Sequence, residues 1–393
     1  MVLGTGKKMK ILFVTENMPL PAIAGSSQRT AILLRSIASF AKVDLFLLKG
    51  EKEKDFLKQS GYGVVGSFDV KKQENLFSNI YRVLFPLYDY QAKKSISDNI
   101  KKTFEDGEYD LLIGRYVRPS LIAGLSKIGP SVIDVDDIDL SALKNRINSQ
   151  HTSFLVKCIL KHRLRILEKN FFKLLKPYKC LFLASDQDIS LVEHDNKYVI
   201  PNISFNAPTN ATYTPSVSNT ILWVGSFNHR VNLEGLDAFI TNDWDKIIAI
   251  CPAAILRVVG SHLPENMANK WSLINNVEIA GFVENLESEY IKAAFSIVPL
   301  WDGAGTKIKV LESFMFSRTS VVTEHAARGF DVFKCNHSIE VADSNEDLIN
   351  KTIALLNDTT RRHIMEQDGH RLVEEHFSSV SVTQSIKSAL ESI

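Results

Sequence analysis

The chain has 393 residues, beyond the ~250–300 at which a single hydrophobic core usually stops growing, so two domains are expected. Its 46 Lys and Arg almost cancel its 45 Asp and Glu, and a composition 45% hydrophobic and 23% charged excludes disordered and collagen-like classes. The net charge of +1 hides an asymmetry: residues 1–200 hold 31 basic and 22 acidic side chains, residues 201–393 hold 15 and 23. A uniformly basic nucleic-acid binder is thereby excluded, while a basic first half facing an anionic surface is not.

Residues 1–8 (MVLGTGKK) read as a leader ahead of a start at Met9. From Lys10 to Thr15 a short apolar run has the character of a buried parallel strand. A loop with Pro19, Pro21 and Gly25 follows, then a helix with Ile32, Leu33, Ile37 and Phe40 on one stripe. Strands are expected at 43–48, 64–70, 111–114, 132–135 and 180–184, separated by helical segments, which describes a doubly wound sheet. After Pro201 a polar stretch to Asn219 suits a linker. A second alternation then begins, with strands at 220–224, 255–259, 277–280, 295–299 and 320–323 and helices at 233–240, 307–316, 346–356 and 360–376. The segment 380–393 reads as one more amphipathic helix. The expected fold is therefore α/β, two Rossmann-like doubly wound domains with a ligand cleft between them. Their expected spans are 1–201 and 202–377, with 378–393 packing back on the first.

The four cysteines, Cys158, Cys180, Cys251 and Cys335, stand far apart and form no disulfide scaffold, which suits a reducing compartment. No stretch reaches the ~18 apolar residues needed to span a bilayer, and the N-terminus lacks a secretory apolar region. A cytoplasmic location is expected.

Two motifs are decoys. Gly61-Tyr62-Gly63-Val64-Val65-Gly66 matches G-x-G-x-x-G, but a dinucleotide site needs a strand before it and a helix after it, and here the order is reversed. Asp134, Asp136, Asp137 and Asp139 contain D-x-D, yet a hard cation needs several converging oxygens and this is one segment; no metal is expected, and lining the cleft is the favoured role. The ten His show no ligand spacing for zinc.

The stretch 299–312 (PLWDGAGTKIKVLE) carries the chemistry. An apolar strand runs into a small-residue loop that opens directly into a helix. Gly303 and Gly305 let backbone N–H groups approach a ligand, and Thr306 is the expected N-cap. Exposed N–H groups and the helix dipole make a phosphate site. Ile308, Leu311 and Met315 form the expected buried stripe. A cation such as Lys309 in the first turn is disfavoured by the dipole unless an anion sits there, and Glu312 one turn deeper can accept hydrogen bonds from a diol such as ribose.

Gly303 to Phe314 (GAGTKIKVLESF) resembles the donor-site signature of retaining glycosyltransferases of family 4, glycosyl transferases group 1, which have the GT-B fold. The likeness extends to Val224-Gly225-Ser226-Phe227-Asn228-His229-Arg230-Val231-Asn232, similar to the family's first phosphate-side loop, and to Gly281-Phe282-Val283, similar to the loop that reads the nucleotide base. In the first half the match is looser, over Lys10–Arg35, Val132–Leu140 and Phe182–Leu191. The resemblance implies transfer of a sugar from a nucleoside-diphosphate donor, UDP-sugar favoured, with no cofactor and no metal. It implies donor contacts from Gly225, Ser226, Asn228, Arg230, Asn232, Phe282, Gly303, Ala304, Gly305, Thr306, Lys309 and Glu312. Gly305 and Thr306 bind the diphosphate, Lys309 neutralises it and Glu312 takes the ribose; Gly25, Ser26, Arg29 and Arg115 fall on the acceptor side. Three departures stand out. Ala304 occupies the place of the first of two glutamates eight apart, so the sugar falls to the N–H groups of Gly303 to Gly305 or to Asp302. Ser226 replaces a basic residue. Asp136 and Asp137 occupy the region of a histidine seen in many members, where a carboxylate base would permit inversion. The catalytic candidates are Asp136, Asp137 and Lys309.

Residues 151–180 hold eight basic side chains (Lys157, Lys161, Arg163, Arg165, Lys169, Lys173, Lys176, Lys179) against Glu168 alone, interspersed with Leu155, Val156, Ile159, Leu160 and other apolar residues. Two readings stand: a helix resting on anionic lipid, aided by an apolar patch at 76–90, or a solvated helix packed on its own domain. The first places the enzyme peripherally on the inner face of the membrane with a lipid-linked acceptor. The expected function is metal-independent sugar transfer to a glycan or lipid-linked acceptor in bacterial surface polysaccharide synthesis. The alternatives are a nucleotide-sugar epimerase or hydrolase of the same fold, and a non-catalytic sugar-binding protein. No nucleic-acid partner is expected.

Overall fold

The computed structural model describes residues 8–22, 25–70, 85–136, 139–148, 152–204, 218–303 and 305–393. They fall into two compact units, Met1–Phe205 with Ser379–Ile393, and Asn206–Ser378.

The first unit is built on seven parallel strands in the order β3-β2-β1-β4-β5-β6-β7. In chain order these are β1 (Lys10–Thr15), β2 (Lys42–Leu47), β3 (Val64–Ser67), β4 (Leu111–Arg115), β5 (Ser131–Asp136), β6 (Cys180–Leu183) and β7 (Lys197–Val199). Helices cover both faces, so the central strands are buried end to end and read as unbroken apolar runs rather than alternating ones. The strand expected over 64–70 stops at Ser67. The helix Glu51–Gln59 precedes the glycine run 61–66 and β3 begins inside it, the reverse of a dinucleotide fingerprint. The helix Ser379–Glu391 packs on the helix Gly25–Phe40, burying Val382, Ile386 and Ala389, and the Tyr198 hydroxyl donates to Ser392 Oγ at 2.7 Å.

The second unit has six parallel strands in the order β10-β9-β8-β11-β12-β13. These are β8 (Thr220–Val224), β9 (Ile255–Val259), β10 (Val277–Gly281), β11 (Phe295–Val298), β12 (Ser320–Thr323) and β13 (Glu340–Ala342). Its core clusters Trp223, Trp244, Trp271, Phe239, Leu256, Phe295 and Ile297. In both sheets the winding reverses beside the first strand, between β1 and β4 and between β8 and β11. Loops at the carboxyl ends of two such strands diverge to opposite faces and leave a crevice, the usual ligand position of an open α/β sheet.

Candidate functional site

In the second unit the two loops flanking the switch point are Gly225–His229, after β8, and 299–307, after β11. The second feeds the helix Ile308–Met315. Gly303 has φ 115° and Gly305 φ 72°, backbone that strongly favours glycine, so the small residues there are conformational requirements. Asp302 Oδ1 accepts the Gly303 N–H at 2.6 Å. Thr306 is not the N-cap. Lys307 holds that position without a side-chain cap, and its ammonium folds back onto the Gly305 carbonyl at 3.0 Å. The buried stripe also differs from expectation: Val310, Leu311, Phe314 and Met315 are buried and Ile308 only half-buried. The reason is a second cover, because the helix packs against Thr359–His376 as well as against the sheet.

Lys309 is the centre of the site. Its ammonium donates to Asn232 Oδ1 at 3.1 Å and stands 4.4 Å from the centroid of the Trp223 ring. Asn232 Nδ2 in turn donates to the Ser226 carbonyl at 2.8 Å, so one amide ties the first loop to the lysine on the second. Gly225 is required by crowding: a Cβ there would lie 2.6 Å from Lys309 Nζ and 2.9 Å from the Trp223 ring. Burial brings the Lys309 pKa down to about 7, Lys307 pushing the same way and Glu312 opposing. Glu312 is half-buried on the same helix, and its charge adds to the burial that holds the Tyr290 hydroxyl well above its usual range. Gly225, Ser226, Asn232, Gly303, Gly305, Thr306, Lys309 and Glu312 thus belong to the two switch-point loops and the helices they open. Asn228 is exposed and its N–H meets Ser226 Oγ at 3.4 Å. Arg230 is exposed and pairs with Glu234 at 2.6 Å. Phe282, directly after β10, is 73% exposed. Ala304 lies outside the described residues.

Two residues that the sequence did not single out brace the loop. His325 Nε2 lies 2.6 Å from the Gly303 carbonyl oxygen, and the Thr323 hydroxyl donates to the Leu300 carbonyl. Both sit just after or at the end of β12, the strand beside β11, so their approach depends on sheet order. Trp223, on β8, was likewise missed, because from the sequence alone it reads as a core aromatic.

In the first unit Arg29, Arg115 and Asp136 meet, but as a buried ion network. Arg29 Nη2 donates to Asp134 Oδ1 at 2.5 Å, Arg115 Nη2 donates to Asp136 Oδ2 at 2.7 Å, and Arg115 Nη1 forms an ion pair with Asp134 Oδ2 at 2.9 Å. Asn202 Nδ2 donates to Asp136 Oδ1 at 3.0 Å, and Arg29 Nη1 bonds the Ile200 carbonyl and Asn202 Oδ1 at 2.7 and 3.0 Å. Burial alone would raise the Asp136 carboxyl, but Arg115 and Arg29 hold it well below the usual range. Asp136, expected as a catalytic candidate, is thus ion-paired, and the guanidinium groups of Arg29 and Arg115, expected on the acceptor side, are 2% and 0% exposed and face Asp134 and Asp136. Gly25 is exposed and Ser26 half-buried, with the Ser26 carbonyl accepting from Thr30 Oγ1 at 2.8 Å. Asp137 lies outside the described residues. Among the described residues no group of three or more His, Cys, Asp and Glu could hold a metal.

Residues 218–358 match the family model of the glycosyl transferases group 1. No curated protein matches the chain in sequence. Solved structures share its architecture over nearly its whole length. Sucrose-phosphate synthase from Thermosynechococcus elongatus superposes with a TM-score of 0.68 at 13% identity, covering 98% of this chain and 99% of that one. Anabaena HepE in complex with UDP gives 0.63 at 16%, covering 98% and 100%. A glycosyltransferase from Rickettsia africae gives 0.65 at 13%, covering 98% of each. The two sheets are those of the GT-B fold, and the matched segment contains every donor-side residue named above. The second unit thus carries a glycosyl transferases group 1 domain, and the chain as a whole has the fold of these structures.

Proposed function

We propose that the chain moves a sugar from a nucleoside-diphosphate sugar, UDP-sugar favoured, to a glycan or lipid-linked acceptor in bacterial surface polysaccharide synthesis, without a metal ion and with retention. The observation that carries this reading is Lys309, a cation enclosed at the first turn of a helix where dipole and burial both oppose its charge. An anion that seats against the helix N–H groups and the ammonium removes both penalties, and a diphosphate has that chemistry. As the bond from sugar to diphosphate breaks, the charge growing on the leaving group meets the same donors. UDP as the nucleotide is supported by HepE, solved in complexes with UDP and with UDP-glucose. A metal-free reaction is supported by a D-x-D pair whose oxygens are filled by guanidinium groups, and retention by the unsuitability of Asp136 as a base.

Peripheral contact with an anionic membrane is part of the proposal. The helix Phe154–Leu175 leaves Phe154 and Leu155 79% and 75% exposed at its start, with Ile159, Lys161, Arg165, Lys169 and Lys173 exposed beyond them. Among the described residues no helix is long and apolar enough to cross a membrane.

The test is thermal stabilisation by UDP, GDP, CMP and dTDP sugars, followed by a product assay with and without EDTA. Stabilisation by UDP-sugars and full turnover in EDTA are expected. Stabilisation by none of the four would overturn the donor reading, and turnover abolished by EDTA would overturn the metal-free one.

A further inference from the structure

We infer that Trp223 is a positioning residue for the donor site: its indole face is the seat that favours the ammonium form of Lys309 and aims it at the Gly225 loop. The inference rests on the donor reading of Lys309 and extends it to a residue on another strand.

Three observations carry it. The ammonium stands 4.4 Å from the Trp223 ring centroid and is held laterally by Asn232 Oδ1. The other ring of the stack, Phe227, lies 4.8 Å away at 23°, and Trp271 packs against Phe227 at 5.7 Å, so the indole is backed by further rings. Finally, Trp223 is fully buried and its Nε1–H has no hydrogen-bond partner among the described residues. A buried orphan donor destabilises the fold, and phenylalanine would fill an apolar slot without one. What Trp offers in return is the strongest cation-attracting face among the side chains. A lysine enclosed at the positive end of a helix needs such a face. The charged and titratable groups near it are Lys307, which repels it, Glu312, which attracts it, and Tyr290, whose hydroxyl reaches the Lys309 carbonyl at 3.4 Å.

The inference separates the stability of Trp223 from its service to Lys309. Trp223→Phe and Trp223→Leu are compared with the parent by thermal unfolding, by NMR titration of the Lys309 side chain without nucleotide, and by UDP affinity from pH 6 to pH 9. In Trp223→Leu, which keeps the floor apolar but removes the ring, the Lys309 titration is expected to move down by about one unit. UDP affinity at pH 7 should fall several-fold and recover at pH 6. Trp223→Phe should lie between the two while unfolding no earlier than the parent. Should both variants keep the parent titration and the parent pH profile, Trp223 is a packing residue and the inference is overturned. If the parent itself binds no UDP, the donor reading fails, and the nucleotide-free titration still decides the seat.

Discussion

The ring of His325 reaches back from the end of β12 to place Nε2 2.6 Å from the carbonyl oxygen of Gly303, the glycine that turns the donor loop at φ 115°. Burial and the nearby Lys307 lower the His325 pKa, so the neutral ring donates Nε2–H to the carbonyl. The bond fixes a loop whose glycines leave it otherwise free. His325→Ala should remove about 1 kcal/mol of loop ordering, seen as a roughly fivefold weaker UDP affinity with little change in turnover at saturating donor. Substitution by Gln, which keeps a donor, should recover part of it. Calorimetric titration with UDP checks both, and an unchanged affinity in His325→Ala would show that the loop does not depend on the brace.

Lys309 makes nucleotide binding proton-linked. Its folded pKa is about 7 against an ordinary value of 10.5. Between those values the unfolded chain binds the proton and the folded chain does not, so this group's contribution to stability rises with pH across that window. Its cost is present in full below about 7. Two outcomes follow. At pH 8 the free site is mostly neutral and a bound diphosphate recharges it, so calorimetry in buffers of different ionisation enthalpy should register uptake approaching one proton. Lys309→Met should unfold at a higher temperature at neutral pH yet lose UDP affinity and turnover, the latter by about a hundredfold or more. A variant less stable than the parent, or one that retains turnover, contradicts the role assigned to this lysine.

What the sequence made legible is what its own neighbourhood decides. The glycine loop and the helix after it were readable at 303–312 because φ, capping propensity and helical spacing act within one turn. The long strands were readable because both sheet faces are buried. β7 and β13 were not, since three residues carry too little period to register. Thr306 was not the cap because the helix begins only at Ile308, which puts Lys307 at the N-cap, a boundary settled by loop geometry. Trp223, Thr323 and His325 reach the site only through strand order. The ion pairs of Asp136 were not legible for the same reason: Arg115 and Arg29 are distant from it in sequence.

The Arg29–Arg115–Asp134–Asp136 network should behave as a buried, mutually dependent unit. Its members are at most 12% exposed, so removal of one partner strands a charge in a medium that cannot solvate it. Arg115→Met should cost about 3–5 kcal/mol in denaturant unfolding, and adding Asp134→Asn should restore part of that loss rather than add to it. Acid should act in the same direction. Asp136 contributes stability above the ordinary carboxylate range, and that contribution is lost as pH falls toward its depressed folded value. Additive losses in the double variant would mean that the four side chains do not act together.

The start of the helix Phe154–Leu175 combines two features that a solvated helix does not need together. Phe154 and Leu155 project into solvent, while Leu160, Leu167, Phe171 and Leu175 secure the rest of the helix to the first unit. The cations beyond the apolar tip supply attraction of about 1 kcal/mol each near an anionic surface, and the two apolar side chains supply insertion that salt does not screen. Flotation with anionic liposomes should therefore show binding that weakens with salt without vanishing. Phe154→Ser with Leu155→Ser should make it wholly salt-sensitive, and Lys161→Glu with Arg165→Glu should abolish it at low salt. All these positions are exposed, so melting temperature and UDP affinity should stay at the parent values. Absence of binding by the parent protein at low salt would leave the helix as a solvated face and remove the membrane from the proposed function.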